Sequence, residues 1–215
     1  MENSSNMQEF VGIDPSDLTP PEVYRLLLHH VAPRPIAFVS TLSKEGVPNL
    51  APFSFFMAGG SNPPSVVVSP TNNRHGQPKD TLVNIRDTGE YTISVVSYFM
   101  AERMNQASAD YPYGVSEWEK AGFVPAPSVK VKPARVAESL MAMECRLFQI
   151  VEHGGGPISA NYIIGEVLYF HVARSLLLPD GRIDATRVDY IGRMGGDWYV
   201  RARPDAMFEM PRPQL

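Results

Sequence analysis

Apolar positions along the chain fall into short blocks, separated by Gly, Pro, Asn and Ser clusters. Only the first block is clearly helical. Thr19-Pro20-Pro21-Glu22 supplies an N-cap hydroxyl, a proline suited to the first helical position and a glutamate able to close a capping box. The predicted helix runs to His29 or His30 and stops before Pro33. After that the pattern turns β-like. Pro35–Thr41 and Val47–Pro52 read as a β-hairpin around Ser43-Lys44-Glu45-Gly46, and their prolines suggest edge or irregular pairing. Phe53-Ser54-Phe55-Phe56-Met57 reads as an aromatic continuation, ending in Ala58-Gly59-Gly60. Ser65–Ser69 predicts a strand, Asp80 to about Asp87 a helix stopped by Gly89, and Tyr91–Val96 a strand. Short helices are expected over residues 98–108 and roughly 116–121. The rest of 109–137 reads as a Pro- and Tyr-rich excursion. Leu140–Val151 and Tyr162–Val172 predict two long strands joined by the turn His153-Gly154-Gly155-Gly156-Pro157. Residues 182–200 close with a Gly-rich loop and a short strand at Trp198-Tyr199-Val200. Six or seven strands with three or four non-alternating helices argue for an antiparallel barrel decorated by helices.

Composition narrows the class without changing that picture. The 215 residues, 44% hydrophobic, suit one domain with a real core. We expect a loose segment over 1–12, a domain over 13–203 and a tail over 204–215. Net charge is −4 and no block of like charge occurs, so a nucleic-acid face is not expected. The single cysteine, Cys145, cannot form an intrachain disulfide, which fits the cytoplasm. No apolar run approaches the length of a membrane span, and the start has no basic-then-apolar leader. The histidines lack metal-ligand spacing, and adjacent His29 and His30 cannot easily share one ion. His153-Gly154-Gly155-Gly156 would suit a lipase oxyanion loop only beside a Gly-x-Ser-x-Gly elbow; none is present, so it reads as a turn. There is no Rossmann or Walker glycine loop either.

The most informative chemistry lies between Ser69 and Asn84. A strand feeds a polar loop carrying Arg74 and Lys79, which opens a helix at Asp80-Thr81. Unpaired N–H groups at a helix start, a planar guanidinium and a compact ammonium together suit a phosphate monoester. Asp80 fits beside a phosphate if it caps the helix or pairs with Lys79. The plainer alternative is a solvated loop. Thr41 and Asn49 by themselves read as hairpin residues, and Phe53, Phe55 and Phe56 as core or interface aromatics.

Taken in order, several pieces resemble the flavin reductase-like family. They are Pro33-Arg34-Pro35-Ile36-Ala37-Phe38-Val39-Ser40-Thr41, Gly46 to Phe56, Lys79-Asp80-Thr81-Leu82-Val83-Asn84-Ile85, Thr88-Gly89-Glu90-Tyr91, Gly165-Glu166-Val167, and Arg193-Met194-Gly195-Gly196 before Trp198-Tyr199. The resemblance spans roughly residues 30–200. It implies a mainly β fold, an antiparallel split β-barrel of Greek-key type with short peripheral helices. It also implies a homodimer with FMN near the interface and hydride transfer from NADH or NADPH to the flavin. Carried over, Thr41, Asn49, Ala51, Ser54, Phe55 and Phe56 would line the ribityl chain and isoalloxazine. Ser69, Arg74, Lys79 and Thr81 would hold the phosphate. No catalytic acid or base is expected, because the cofactor carries the chemistry and the protein orients it. The alternatives are an FMN protein that passes electrons to or from a partner protein without NAD(P)H turnover of its own, and a flavin-free interaction module.

Overall fold

The computed structural model describes residues 8–111 and 115–213. Residues 1–7, within the segment expected to be loose, 112–114 of the excursion, and 214–215 of the tail lie outside the described residues. Glu22 accepts hydrogen bonds from the N–H and the hydroxyl of Thr19, so the box foreseen in the sequence starts helix α1 (Pro20–His30). Strands β1 (Ala37–Leu42) and β2 (Pro48–Phe53) form the expected hairpin, with Thr41 opposite Asn49.

The aromatic run then departs from expectation. The chain breaks at Ser54-Phe55, and β3 (Phe56–Ser61) pairs with β4 (Pro64–Val68), not with β1. Phe56 faces Val68 and Met57 faces Val67, so the run is split between two hairpins. There follow α2 (Asp80–Thr88), stopped by Gly89 at φ 72°, and β5 (Glu90–Val95). Helices α3 (Ala101–Gln106) and α4 (Glu117–Ala121) precede a two-residue ribbon of β6 (Pro125–Ala126) and β7 (Arg135–Val136). The long strands β8 (Met141–His153) and β9 (Ala160–Val172) come next, then a second ribbon of β10 (Ile191–Arg193) and β11 (Tyr199–Arg201).

Seven strands form one antiparallel sheet in the order β2-β1-β5-β8-β9-β4-β3. β4 lies beside β9 although it is followed by β5, which is the Greek-key arrangement. Its two outermost strands, β2 and β3, are joined by Ser54-Phe55 alone. Three residue steps reach at most about 11 Å. Six strand spacings of about 4.8 Å would separate the edges of a flat sheet by about 29 Å. The sheet therefore curls until its edges meet, as an antiparallel barrel does.

Both faces of β1 are buried. Ala37 and Val39 join a cluster with Val66, Leu82, Ile85, Tyr91 and Ile163, whereas Phe38 joins Leu50, Met100, Met104, Trp118 and Phe123. The strand period of two sends alternate residues to the two sides. α2 covers one and the α3–α4 excursion the other. Tyr91 is fully buried against Gly165 of β9, where any Cβ would overlap its ring and hydroxyl. Gly165→Ala should cost about 2 kcal/mol through this overpacking. Urea unfolding checks it: the midpoint should fall with the slope unchanged, and an unmoved midpoint would contradict it.

Glu144 ties the excursion to the sheet. Its carboxylate, fully buried on β8, accepts from the N–H groups of Val129 (2.7 Å), Lys130 (2.5 Å) and Val131 (3.2 Å) and contacts His171 Nε2 at 2.6 Å. Burial pushes this carboxyl up, but the hydrogen bonds from His171 and the three N–H groups outweigh it, and the net displacement is downward. A carboxyl lower in the folded than in the unfolded state stabilises fully above its unfolded pKa, and that contribution is lost as pH falls through the folded value. Glu144→Gln should cost about 2 kcal/mol at neutral pH and flatten the loss of stability as pH falls through and below the ordinary carboxylate range. Unfolding curves across that window check both effects.

Candidate functional site

The connection from β4 to α2 crosses one end of the barrel, and its backbone is pinned from three sides. Ser69 N–H donates to Phe55 O at 2.8 Å. Asn161 of β9, buried, donates to Pro70 O and to Asn72 Oδ1, both at 3.0 Å. Asn72 in turn donates its N–H to Ser159 O (3.0 Å) and its amide to Gly156 O (3.2 Å). The Gly-rich turn between β8 and β9 is thus a connection, as expected, and also a buttress for this loop. Beyond it, Asn73 Oδ1 accepts from the N–H groups of His75 (2.8 Å) and Gln77 (3.0 Å), closing a local turn completed by Gly76 at φ 78°.

Lys79, not Asp80, occupies the N-cap position of α2, and no side chain caps the helix. Asp80 is the first helical residue and forms no ion pair with Lys79. Cap preference names Asp80, but Lys79 carries the extended backbone that precedes the helix, at ψ 153°. The first turn of α2 therefore offers N–H groups to a ligand. Behind it runs a buried polar chain. Asn49 Nδ2 donates to Thr81 Oγ1 (2.9 Å) and approaches Thr41 Oγ1 (3.4 Å), while Asn84 Nδ2 donates to Thr41 Oγ1 (3.0 Å). This chain fixes α2 against the β1–β2 hairpin.

These elements wall a cleft of about 710 Å³. Asn49, Ala51, Arg74, Lys79 and Thr81 line it together, with Tyr24 of α1 on one side and Asp110, Tyr111 and Glu117 of the excursion on another. Among the described residues, neither Arg74 nor Lys79 takes part in an ion pair. Glu117 stands against β2, accepting from Leu50 N–H at 3.3 Å. Burial, with a smaller push from Asp80, raises its carboxyl above the usual range despite that hydrogen bond.

The remaining sequence candidates lie elsewhere. Ser69 and Phe55 line an adjoining groove of about 560 Å³ that shares Tyr24, Thr71 and Ile158 with the cleft. Thr41 is fully buried beneath the cleft, where it anchors Asn49 and Asn84. Ser54 accepts from Arg34 Nε at 3.3 Å and lines neither cavity, and Phe56 packs on the core cluster around Val39. Tyr24, Asp110, Tyr111 and Glu117 escape sequence reasoning. They reach the cleft from elements remote in the chain, and no local spacing marks them.

The chain belongs to the flavin reductase like domain family, whose model matches residues 28–187. Among solved structures it is similar to nitrilotriacetate monooxygenase component B of Bacillus cereus, 33% identical with a TM-score of 0.87 over 94% of this chain and 100% of that one. It is also similar to the 2-nitrobenzoate 2-nitroreductase of Pseudomonas fluorescens, 30% identical with a TM-score of 0.83 over 95% and 99% of the two chains. A split-barrel-domain protein of Shewanella frigidimarina, 24% identical with a TM-score of 0.78 over 92% and 96%, shares the fold. The fold is thus a split barrel, and family membership implies a flavin as cofactor or substrate. Among the described residues no helix is long and apolar enough to cross a membrane, and no group of three or more His, Cys, Asp or Glu side chains is placed to hold a metal ion.

Proposed function

We propose that the protein is an FMN-binding oxidoreductase that accepts hydride from NADH or NADPH. One observation carries this reading: two cations without acidic partners among the described residues share a cleft with the uncapped start of α2. The residues present fit the cofactor. The cleft's volume lies within the ~300–1,000 Å³ of small-molecule sites. Arg74, Lys79 and the first N–H groups of α2 would hold the phosphate, with Thr81 oriented beside them by Asn49. Ala51 leaves room along β2 for the rest of the molecule, and Tyr24 stands beside it. Bound FMN would supply the two-electron chemistry, so the chain needs only to bind, orient and shield.

A second reading has a specific support. The Bacillus cereus neighbour is one component of a monooxygenase, which favours a protein that serves a partner with flavin electrons. A homodimer is part of the proposal, because Phe148, Phe170, Trp198 and Phe208 are all more than half exposed and a second copy would cover such surface. Cys145, buried and pushed up to about 12 chiefly by that burial, has no redox role in this scheme and fits a cytoplasmic protein.

The experiment is an anaerobic titration of FMN-loaded protein with NADH and then NADPH, followed by visible absorbance. Bleaching of the yellow flavin by either donor is expected. A yellow protein that neither donor bleaches favours the partner-served reading. No FMN uptake removes both.

A further inference from the structure

One carboxylate in the cleft is held by the fold through one oxygen only. Glu117 opens α4, which Trp118 and Ala121 anchor in the core cluster around Phe38. That anchoring sets the Glu117 side chain against β2, where its Oε2 accepts from Leu50 N–H at 3.3 Å. Among the described residues Oε1 accepts no hydrogen bond, and no cation pairs with the carboxylate. Tyr111, on the same wall, spends its hydroxyl on Gln106 O at 3.1 Å. Glu117 is half-buried, and its carboxyl stays raised although backbone N–H groups favour the charge. An ionised carboxylate is an acceptor only, so what Oε1 lacks is a donor.

Taking FMN as the occupant of the cleft, as proposed above, we infer that Glu117 recognises its ribityl chain, Oε1 accepting from one of the chain's hydroxyls. Three neighbours point to that part of the ligand. Leu50 lies between Asn49 and Ala51 on β2, and these two line the cleft while the Leu50 side chain joins the core behind them. Asp80, whose charge acts on Glu117, is the first residue of α2, so Glu117 stands near the helix start that would hold the phosphate. The ribityl chain is the part of FMN bonded to the phosphate, and it carries hydroxyl donors. A phosphate dianion has no donor, and the one N–H of the oxidised ring lies on the edge away from the ribityl attachment. A carboxylate set directly against the phosphate would repel it. A hydroxyl between the two turns the same charge into a charge-assisted hydrogen bond.

The test titrates the full chain with riboflavin and with lumiflavin, which has a methyl group in place of the ribityl chain. Neither carries a phosphate, so the hydroxyls alone distinguish them. Flavin fluorescence gives both affinities for the native protein, Glu117→Ala and the isosteric Glu117→Gln. Glu117→Ala should weaken riboflavin about 10-fold and lumiflavin less than about 2-fold, because only riboflavin loses a hydrogen bond. Glu117→Gln keeps an uncharged acceptor and should weaken riboflavin about 3-fold, with lumiflavin again within about 2-fold. It carries the test alone if the alanine variant does not fold. Riboflavin affinity unmoved by either substitution would overturn the assignment. So would equal losses for riboflavin and lumiflavin, which would mean that Glu117 only ties α4 to β2. Both results leave a phosphate site at Arg74 and Lys79 standing. Native protein that takes up neither FMN nor riboflavin would instead remove the flavin reading and the role of Glu117 together.

Discussion

FMN should bind the double variant Arg74→Ala, Lys79→Ala at least ~30-fold more weakly than the native protein, a loss of at least ~2 kcal/mol. Each cation offers a charge-assisted hydrogen bond to a phosphate, worth about 1.5–3 kcal/mol when made in a partly desolvated site. The full sum is not expected, because the first turn of α2 still attracts the anion and both side chains stand in an open loop. Two controls make the result specific. Riboflavin, which lacks the phosphate, should bind the variant and the native protein alike. Thermal stability should change by less than about 0.5 kcal/mol, since neither side chain has an ion-pair partner among the described residues to lose. Flavin-fluorescence titration checks both affinities, and unchanged FMN binding would move the phosphate out of this loop.

The other large effect concerns folding. Arg34→Ala should destabilise the protein by about 3–4 kcal/mol. Arg34 is 2% exposed, yet no carboxylate pairs with it among the described residues. Its guanidinium instead donates to Leu28 O (2.6 Å), Val31 O (2.5 Å), Met194 O (2.9 Å) and Ser54 Oγ (3.3 Å). Two of these carbonyls are at the C-terminal end of α1, where the helix dipole favours a cation. Burial lowers the pKa of Arg34, and Arg193 lowers it further against an opposite effect of Tyr24, but a guanidinium stays charged at neutral pH. Alanine would leave several carbonyls unpaired and cut the tie between α1 and the β10–β11 ribbon. Arg34→Lys should recover only part of the loss, because a point charge cannot serve divergent acceptors as a planar fork does. At about 2–4 °C per kcal/mol for a chain of this size, the melting temperature should fall by roughly 6–16 °C. A fall below about 2 °C would show that Arg34 is not the clamp. Tyr24 lies on the same helix and lines both cavities, so the variant should also loosen ligand binding.

What could be read from the chain followed physical range. The α1 start was legible because a capping box is local, and the β1–β2 hairpin because its turn and alternation are local. The loop proposed to hold a phosphate stood out because its cations, Arg74 and Lys79, cluster within one short stretch. Phe53–Met57 misled, because a continuous apolar run does not announce where the chain swaps hairpins, and the swap at Ser54-Phe55 is dictated by barrel closure. The ribbon β6–β7 and strand β10 are too short to show a period, whereas β11 lies where a short strand was expected at Trp198-Tyr199-Val200. Asn161 looks like any strand residue until the fold sets it under Pro70, and Glu144 until Val129–Val131 fold over it. Thr41 could be named but not placed. Its hydroxyl supports the cleft from below, a distinction that only the packing of α2 on β1 reveals.

The central claim is that the negatively charged ester of a flavin is gripped where the β4–α2 loop meets the helix. Comparing the native protein's affinity for FMN with that for riboflavin in dilute buffer tests it most directly. We predict that FMN binds at least ~50-fold tighter and that added salt narrows the gap. Equal affinity for the two flavins would contradict the claim.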